Sequence, residues 1–194
     1  KVPDTETLIR LLTGLYGSIG YPLIFIGAIA EATFLLGLYV PGSTVVLLGA
    51  ALSKTNVVAF PIVYMLGTLG LVAGFIMNYF LGKYGWYHVL KGVGLEKGIE
   101  EAQAKIQAHG SKAILLGYFF PGSASFLSTA AGVLRMPFQK FFVVSVAAQS
   151  FWSLLWGSLA YFFGLPLVEF LLKNFGFVVV AIVAVWIIRK YFKK

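Results

Sequence analysis

Two apolar stretches of this chain are cut in the middle by Pro-Gly, and the pieces left behind are too short to cross a bilayer. In the first, Tyr21–Val40 carries Glu31 within it and Pro41-Gly42 then breaks it. Only about 12 residues, Gly42–Ser53, follow before Lys54. At 1.5 Å per residue they cover about 18 Å, against a hydrocarbon core of roughly 30 Å. The second stretch, Ala113–Leu134, is interrupted in the same way by Pro121-Gly122.

The two breaks repeat each other. Leu35-Leu36-Gly37 leading to Pro41-Gly42-Ser43 aligns with Leu115-Leu116-Gly117 leading to Pro121-Gly122-Ser123, at an offset of 80 residues. Extending the alignment pairs Leu47 with Leu127, Ala50 with Ala130 and Ala51 with Ala131. Nine of the 18 positions from 35 to 52 are then identical. The pattern predicts two re-entrant hairpins that dip into the membrane, turn at Pro-Gly and leave on the side they entered. Hydrocarbon cannot satisfy the backbone of such a turn, so the tips must be buried in protein or line a wet cavity. One crossing segment, 57–81, separates the hairpins, so they enter from opposite faces, as in the inverted repeats of transporters. Two kinked helices joined by loops are the alternative, since Pro commonly kinks a membrane helix.

Composition supports a membrane solvent. Only 11% of the 194 residues are charged and 59% are hydrophobic, where a soluble domain carries about a quarter charged residues. The expected fold is an all-α integral membrane protein, one domain over residues 1–194. An interfacial helix at 5–19 places Leu8, Leu11, Leu12 and Leu15 on one face. The first hairpin occupies 21–53 and a transmembrane helix 57–81. A polar helical segment follows at 83–111, with the second hairpin at 113–134 and a second transmembrane helix at 138–163. An interfacial segment and a third transmembrane helix fill 167–191. Residues 1–15 lack the continuous apolar core of a secretory signal.

The formal charge of +8 fits basic loops facing anionic headgroups, because no basic stripe of the kind that binds nucleic acid is present. With re-entrant hairpins, one side collects Lys83, Lys91, Lys97, Lys105, Lys112, Arg135, Lys140, Arg189, Lys190, Lys193 and Lys194. The other collects Lys1, Arg10, Lys54 and Lys173. The positive-inside rule then makes the central loop and the C-terminus cytoplasmic. The chain has no cysteine, and its two histidines, His88 and His109, have no metal-site spacing. No metal and no cofactor are expected.

Several motifs together resemble the DedA family of VTT-domain (SNARE-associated) membrane proteins. They are Glu31 followed by Pro41-Gly42, Gly74 with Tyr79, Gly82, Lys83 and Gly85, and Phe120-Pro121-Gly122. The most specific run is Ala131-Gly132-Val133-Leu134-Arg135-Met136-Pro137 through Lys140-Phe141. The resemblance covers roughly 21–164. It implies paired re-entrant hairpins, movement of lipids between leaflets and, in bacterial members, recycling of undecaprenyl phosphate with dependence on the proton-motive force. It also implies the plasma membrane of a prokaryote. Four positions depart from the family's usual charges. Ser43 and Phe75 stand where acids are common, and Tyr118 and Ala124 where arginines commonly flank the second Pro-Gly. A passive headgroup route requires less charge than a proton-driven phosphate carrier, and Ser43 and Ser123 can line one.

The candidate lipid pathway therefore comprises Glu31, Pro41, Gly42, Ser43, Tyr118, Pro121, Gly122, Ser123 and Arg135, with Asn78, Lys140 and Gln149 secondary. Glu31 is an ionisable group inside an apolar run, a functional signal by default; the plainer reading bonds it to hairpin-tip backbone. The two serines suit helix N-caps. Arg135 and Lys140 suit either a lipid phosphate or ordinary snorkelling. Asn78 and Gln149 suit helix–helix hydrogen bonding. The leading function is a lipid transporter or scramblase, flipping phospholipid or polyprenyl phosphate, with membrane lipids as partners and homo-oligomerisation left open. A non-transporting scaffold with a degenerate site is the alternative. A lipid-phosphate enzyme ranks lower, because Asp4 is the only Asp and no His lies near a Pro-Gly.

Overall fold

The structure, a computed structural model, describes residues 5–33, 42–53, 59–85, 92, 94, 96–119, 123–167 and 170. The turning points Pro41, Pro121 and Gly122 lie outside the described residues, as does the transmembrane segment read after residue 174. The described residues contain α-helix and no strand. In chain order the helices are α1 (Thr5–Ala32), α2 (Gly42–Leu52), α3 (Ala59–Lys83), α4 (Glu96–His109), α5 (Ser111–Gly117), α6 (Ser123–Val133) and α7 (Phe138–Phe163). Phe60–Lys83 of α3 and Phe138–Phe163 of α7 are long and apolar enough to cross a membrane.

One boundary differs from the sequence reading. The interfacial helix at 5–19 and the first arm of the hairpin from 21 are one continuous helix of 28 residues, with Pro22 inside it. Pro22 removes one backbone donor and leaves the Ser18 carbonyl without its helical partner, a defect that a membrane helix tolerates. Apolar periodicity and a Pro-Gly spacing do not distinguish a bent entry from a straight one. α4 stops at His109, Gly110 takes a positive φ of 57°, and α5 begins at once.

α3 is the centre of the assembly, packed most extensively on α1 and α6. Its glycines set how close these helices come. A Cβ built on Gly70 would lie 2.6 Å from the Phe25 carbonyl oxygen, and one on Gly74 would overlap the Ala32 methyl. Side chains on Gly82 and Gly132 would overlap the carbonyls of Thr129 and Tyr79, so the backbones of α3 and α6 touch directly. Apolar burial gives little drive between helices in lipid, so close packing of this kind does the holding.

The contacts also fix directions. Phe25 and Ala28 meet Gly70, and Ala32 meets Gly74, so α1 and α3 run the same way. α2 runs back, with Val46 against Gly67 and Gly49 against Ile24 and Val63. The α1–α2 pair thus opens toward the start of α3. α6 runs from the level of Ala32, which Ser125 touches, to the end of α3, where Thr129 and Val133 meet Gly82. The α5–α6 pair therefore opens toward the opposite end. α7 is antiparallel to α3: Phe60 packs on Tyr161 (centroids 4.8 Å) at one end and Tyr79 stacks on Phe141 (4.6 Å) at the other. Tyr79 also donates to the Met136 carbonyl, pinning the turn between α6 and α7.

Backbone contact cannot yield as a flexible side chain can. Gly132→Ala should therefore lower stability by about 1–3 kcal/mol, the usual penalty of overpacking, while Gly92→Ala, with nothing within 4 Å, should stay within about 0.5 kcal/mol of wild type, as surface changes do. Thermal unfolding in detergent reads both.

Candidate functional site: the meeting of the two helix pairs

Ala32 is the last residue of α1, so its carbonyl belongs to the group that a helix end leaves without intrahelical partners. It is 2% exposed, and two side chains reach it from other helices. Asn78 Nδ2 of α3 donates to it at 2.6 Å and Ser125 Oγ of α6 at 3.0 Å. Nearby, Thr33 caps the same end by bonding back to the Ile29 carbonyl at 2.8 Å. Ser125 follows Pro121-Gly122 closely in sequence, so the inner ends of the two helix pairs come together here, beside the C-terminal part of α3.

Glu31 precedes Ala32 in the last turn of α1. It is partly buried, and its Oε2 is shut off from solvent. A carboxylate there faces the negative end of the helix dipole, where negative charge is least favoured. Tyr118 is buried, and its hydroxyl lies 2.9 Å from both Ser128 Oγ of α6 and Ser145 Oγ of α7. Ser123 donates to the Gly117 carbonyl and closes the α5–α6 connection on itself. Gln149 Nε2 donates to Ser153 Oγ at 2.9 Å within α7.

Of the sequence candidates, Glu31, Asn78, Tyr118 and Ser123 thus lie on the helices that meet around this junction. Gly42 and Ser43 form the start of α2. Arg135 and Lys140 are exposed and stand apart from it, at the turn between α6 and α7. That turn is a Schellman motif: Met136 N–H bonds the Ala131 carbonyl and Arg135 N–H the Gly132 carbonyl, both at 2.9 Å. Arg135 occupies its left-handed position, with φ of 52°, where glycine is usual. Lys83, at the end of α3, sets its ammonium 5.8 to 5.9 Å from the ring centroids of Tyr79, Phe80 and Tyr84.

The sequence reading missed Ser125, Ser128 and Ser145. A signal for them exists. Ser125, Ser128 and Thr129 recur at i, i+3 and i+4 on α6, and Ser145, Gln149 and Ser153 recur every four residues on α7. Small polar stripes on apolar helices face protein rather than lipid.

Phe75 and Tyr118, two of the positions where the family resemblance leads one to expect Asp and Arg, are in contact. Their ring centroids are 4.7 Å apart, and each residue is 4% exposed. Two aromatic rings thus pack together at positions where the resemblance implies an acid and an arginine. Exchanging a buried ion pair for packed apolar groups is often neutral or favourable, whereas one charge alone is not. Phe75→Asp alone should therefore cost about 3–5 kcal/mol, and adding Tyr118→Arg should recover on the order of 1–3 kcal/mol of that loss; chemical unfolding of the three variants gives the coupling. Arg135→Gly should relieve about 1 kcal/mol of backbone strain and raise the unfolding midpoint. Slower lipid exchange in that more stable variant would identify the guanidinium as a headgroup contact, and unchanged exchange would assign it to snorkelling.

The VTT domain matches residues 40–162 of the chain. An uncharacterized membrane protein of Synechocystis is 29% identical over 150 residues, 75% of this chain and 67% of the relative. Undecaprenyl phosphate transporter A of Bacillus subtilis is 27% identical over 143 residues, covering 71% and 69%. Protein DedA of Escherichia coli is 24% identical over 184 residues, covering 91% and 83%. No solved structure matches. With its helix pairs packed on either end of α3 and the VTT domain matching more than half its length, the chain belongs to the DedA family of VTT-domain membrane proteins.

Proposed function

We propose that this membrane protein carries lipid headgroups between leaflets, past the junction where two re-entrant helix pairs meet. The observation that carries this reading is the Ala32 carbonyl held by both Asn78 and Ser125. It brings the inner ends of two broken helices together beside an acidic residue, and a bilayer accepts irregular backbone at depth only against protein or a wet cavity.

Internal symmetry supports the inverted repeat. α2 and α6 are each 11 residues long, and α3 and α7 are 25 and 26. Exchanging α1, α2 and α3 with α5, α6 and α7 maps the contacts among these six helices onto one another with one exception. The α1–α3 contact pairs with α5–α7, α1–α2 with α5–α6, and α2–α7 with α3–α6, while α3–α7 maps onto itself. The contacts within the first half are the more extensive, and the α2–α3 contact has no comparable α6–α7 counterpart. A two-fold axis in the membrane plane gives this pattern, and transporters place their sites at such repeat interfaces. The preference for a phosphate-bearing lipid, phospholipid or polyprenyl phosphate, draws on the relative named for undecaprenyl phosphate. The role is transport rather than enzymatic. The basic side bearing Lys83, Arg135 and Lys140 faces the cytoplasm, and the host is a prokaryotic plasma membrane.

The uncharged Phe75–Tyr118 pair, at positions where the resemblance implies an acid and an arginine, favours passive exchange over a proton-driven cycle. The same loss of charge gives the second reading, a scaffold that keeps the fold and does not transport. Its support is the Phe75–Tyr118 pair.

Liposomes carrying a fluorescent phospholipid or a polyprenyl phosphate, without a proton gradient, separate the two. The protein should exchange one of these lipids faster than empty vesicles do, and Glu31→Gln should slow it by about tenfold, equivalent to ~1.4 kcal/mol in the barrier. Folded protein that exchanges neither lipid would leave the scaffold.

A further inference from the structure

We infer that Asn78 and Ser125 are positioning residues for Glu31, two side chains that fix the end of α1 so that its carboxyl stays where the helix pairs meet. The inference rests on the transport reading for its functional meaning and on geometry for its content.

A carbonyl oxygen has two lone pairs, and Ala32 spends both on side chains from separate helices, 46 and 93 residues away in sequence. Asn78 is fully buried. The behaviour of Ser125 is telling. The neighbouring hydroxyls on α6 satisfy themselves locally, Ser128 on the Ala124 carbonyl at 2.7 Å and Thr129 on the Ser125 carbonyl at 3.0 Å. Ser53 and Thr33 do the same on their own helices. Ser125 reaches across to α1 instead. On the remaining side, the absence of a side chain at Gly74 lets α3 press on the Ala32 methyl and the Ile29 carbonyl. Glu31 is one residue from this clamp, so its backbone has little freedom to swing.

The two bonds differ in what they join. Asn78 ties α1 to α3, helices of the same half. Ser125 ties α1 to α6, across the halves. Any movement of one helix pair against the other must break the Ser125 bond and can leave the Asn78 bond intact.

A purely structural pair of bonds would act independently of Glu31. In the lipid-exchange assay, Asn78→Ala and Ser125→Ala should each slow exchange by on the order of tenfold, the scale of one hydrogen bond to a buried carbonyl. Ser125→Thr, which keeps the hydroxyl, should restore it. In a Glu31→Gln background neither alanine should slow exchange further, since residues acting through one another are non-additive. Wild-type rates in both single variants, or an undiminished second loss in the Glu31→Gln background, would overturn the inference. A second measurement needs no transport. The infrared band of the Glu31 carboxyl, identified by its loss in Glu31→Gln, should shift in both alanine variants that remain folded. If wild type moves no lipid but the band shifts, the transport reading falls and the positioning role stands. An unmoved band in both variants overturns the positioning role by itself.

Discussion

A helix that ends among other helices leaves carbonyls that only those helices can bond, and the arrangement of this protein turns on how one of them is satisfied. The Ala32 carbonyl ends α1 in a buried position and accepts from Asn78 and Ser125. Leaving it unbonded would cost about 1–3 kcal/mol. The same two bonds commit α1 to α3 and to α6 at a single register. The helix pairs therefore meet at their inner ends, and Glu31 is carried to that meeting point by its place in the chain.

Close backbone approach makes the bonds reachable. Short side chains such as Ser125 span only a few ångströms, so α1, α3 and α6 must touch almost backbone to backbone. Gly70 and Gly74 admit α1, and Gly82 with Gly132 admits α6. Farther along α3, Tyr79 packs on Phe80, Phe138 and Phe141 and bonds the Met136 carbonyl, which anchors α7 and the turn that presents Arg135. The glycines and the aromatic cluster thus serve the same end from opposite directions, one by giving way and the other by filling space.

Hydroxyls and an amide supply hydrogen bonds at the junction. Tyr118 links α5 to α6 and α7 through Ser128 and Ser145, while its ring lies on Phe75. Neutral groups hold a fixed shape with a smaller desolvation penalty than charges. Among the described residues, Glu31 is the acid at the end of α1 beside this junction.

The sequence by itself determined the helical membrane class and the two long spans. These follow from a local property, run length against bilayer thickness. It also marked Glu31, because an acid in an apolar run stands out without any structure. The continuity of α1 through Pro22 was not legible, since a proline permits a kink or a straight helix according to what packs around it. Tertiary structure alone decided that Asn78 and Ser125 would share the Ala32 carbonyl, that Phe75 would face Tyr118, and that Arg135 would stand at a turn away from the junction. Those pairings join residues tens of positions apart. They depend on where helices cross, and the crossing point is set by the summed fit of small residues rather than by any one motif.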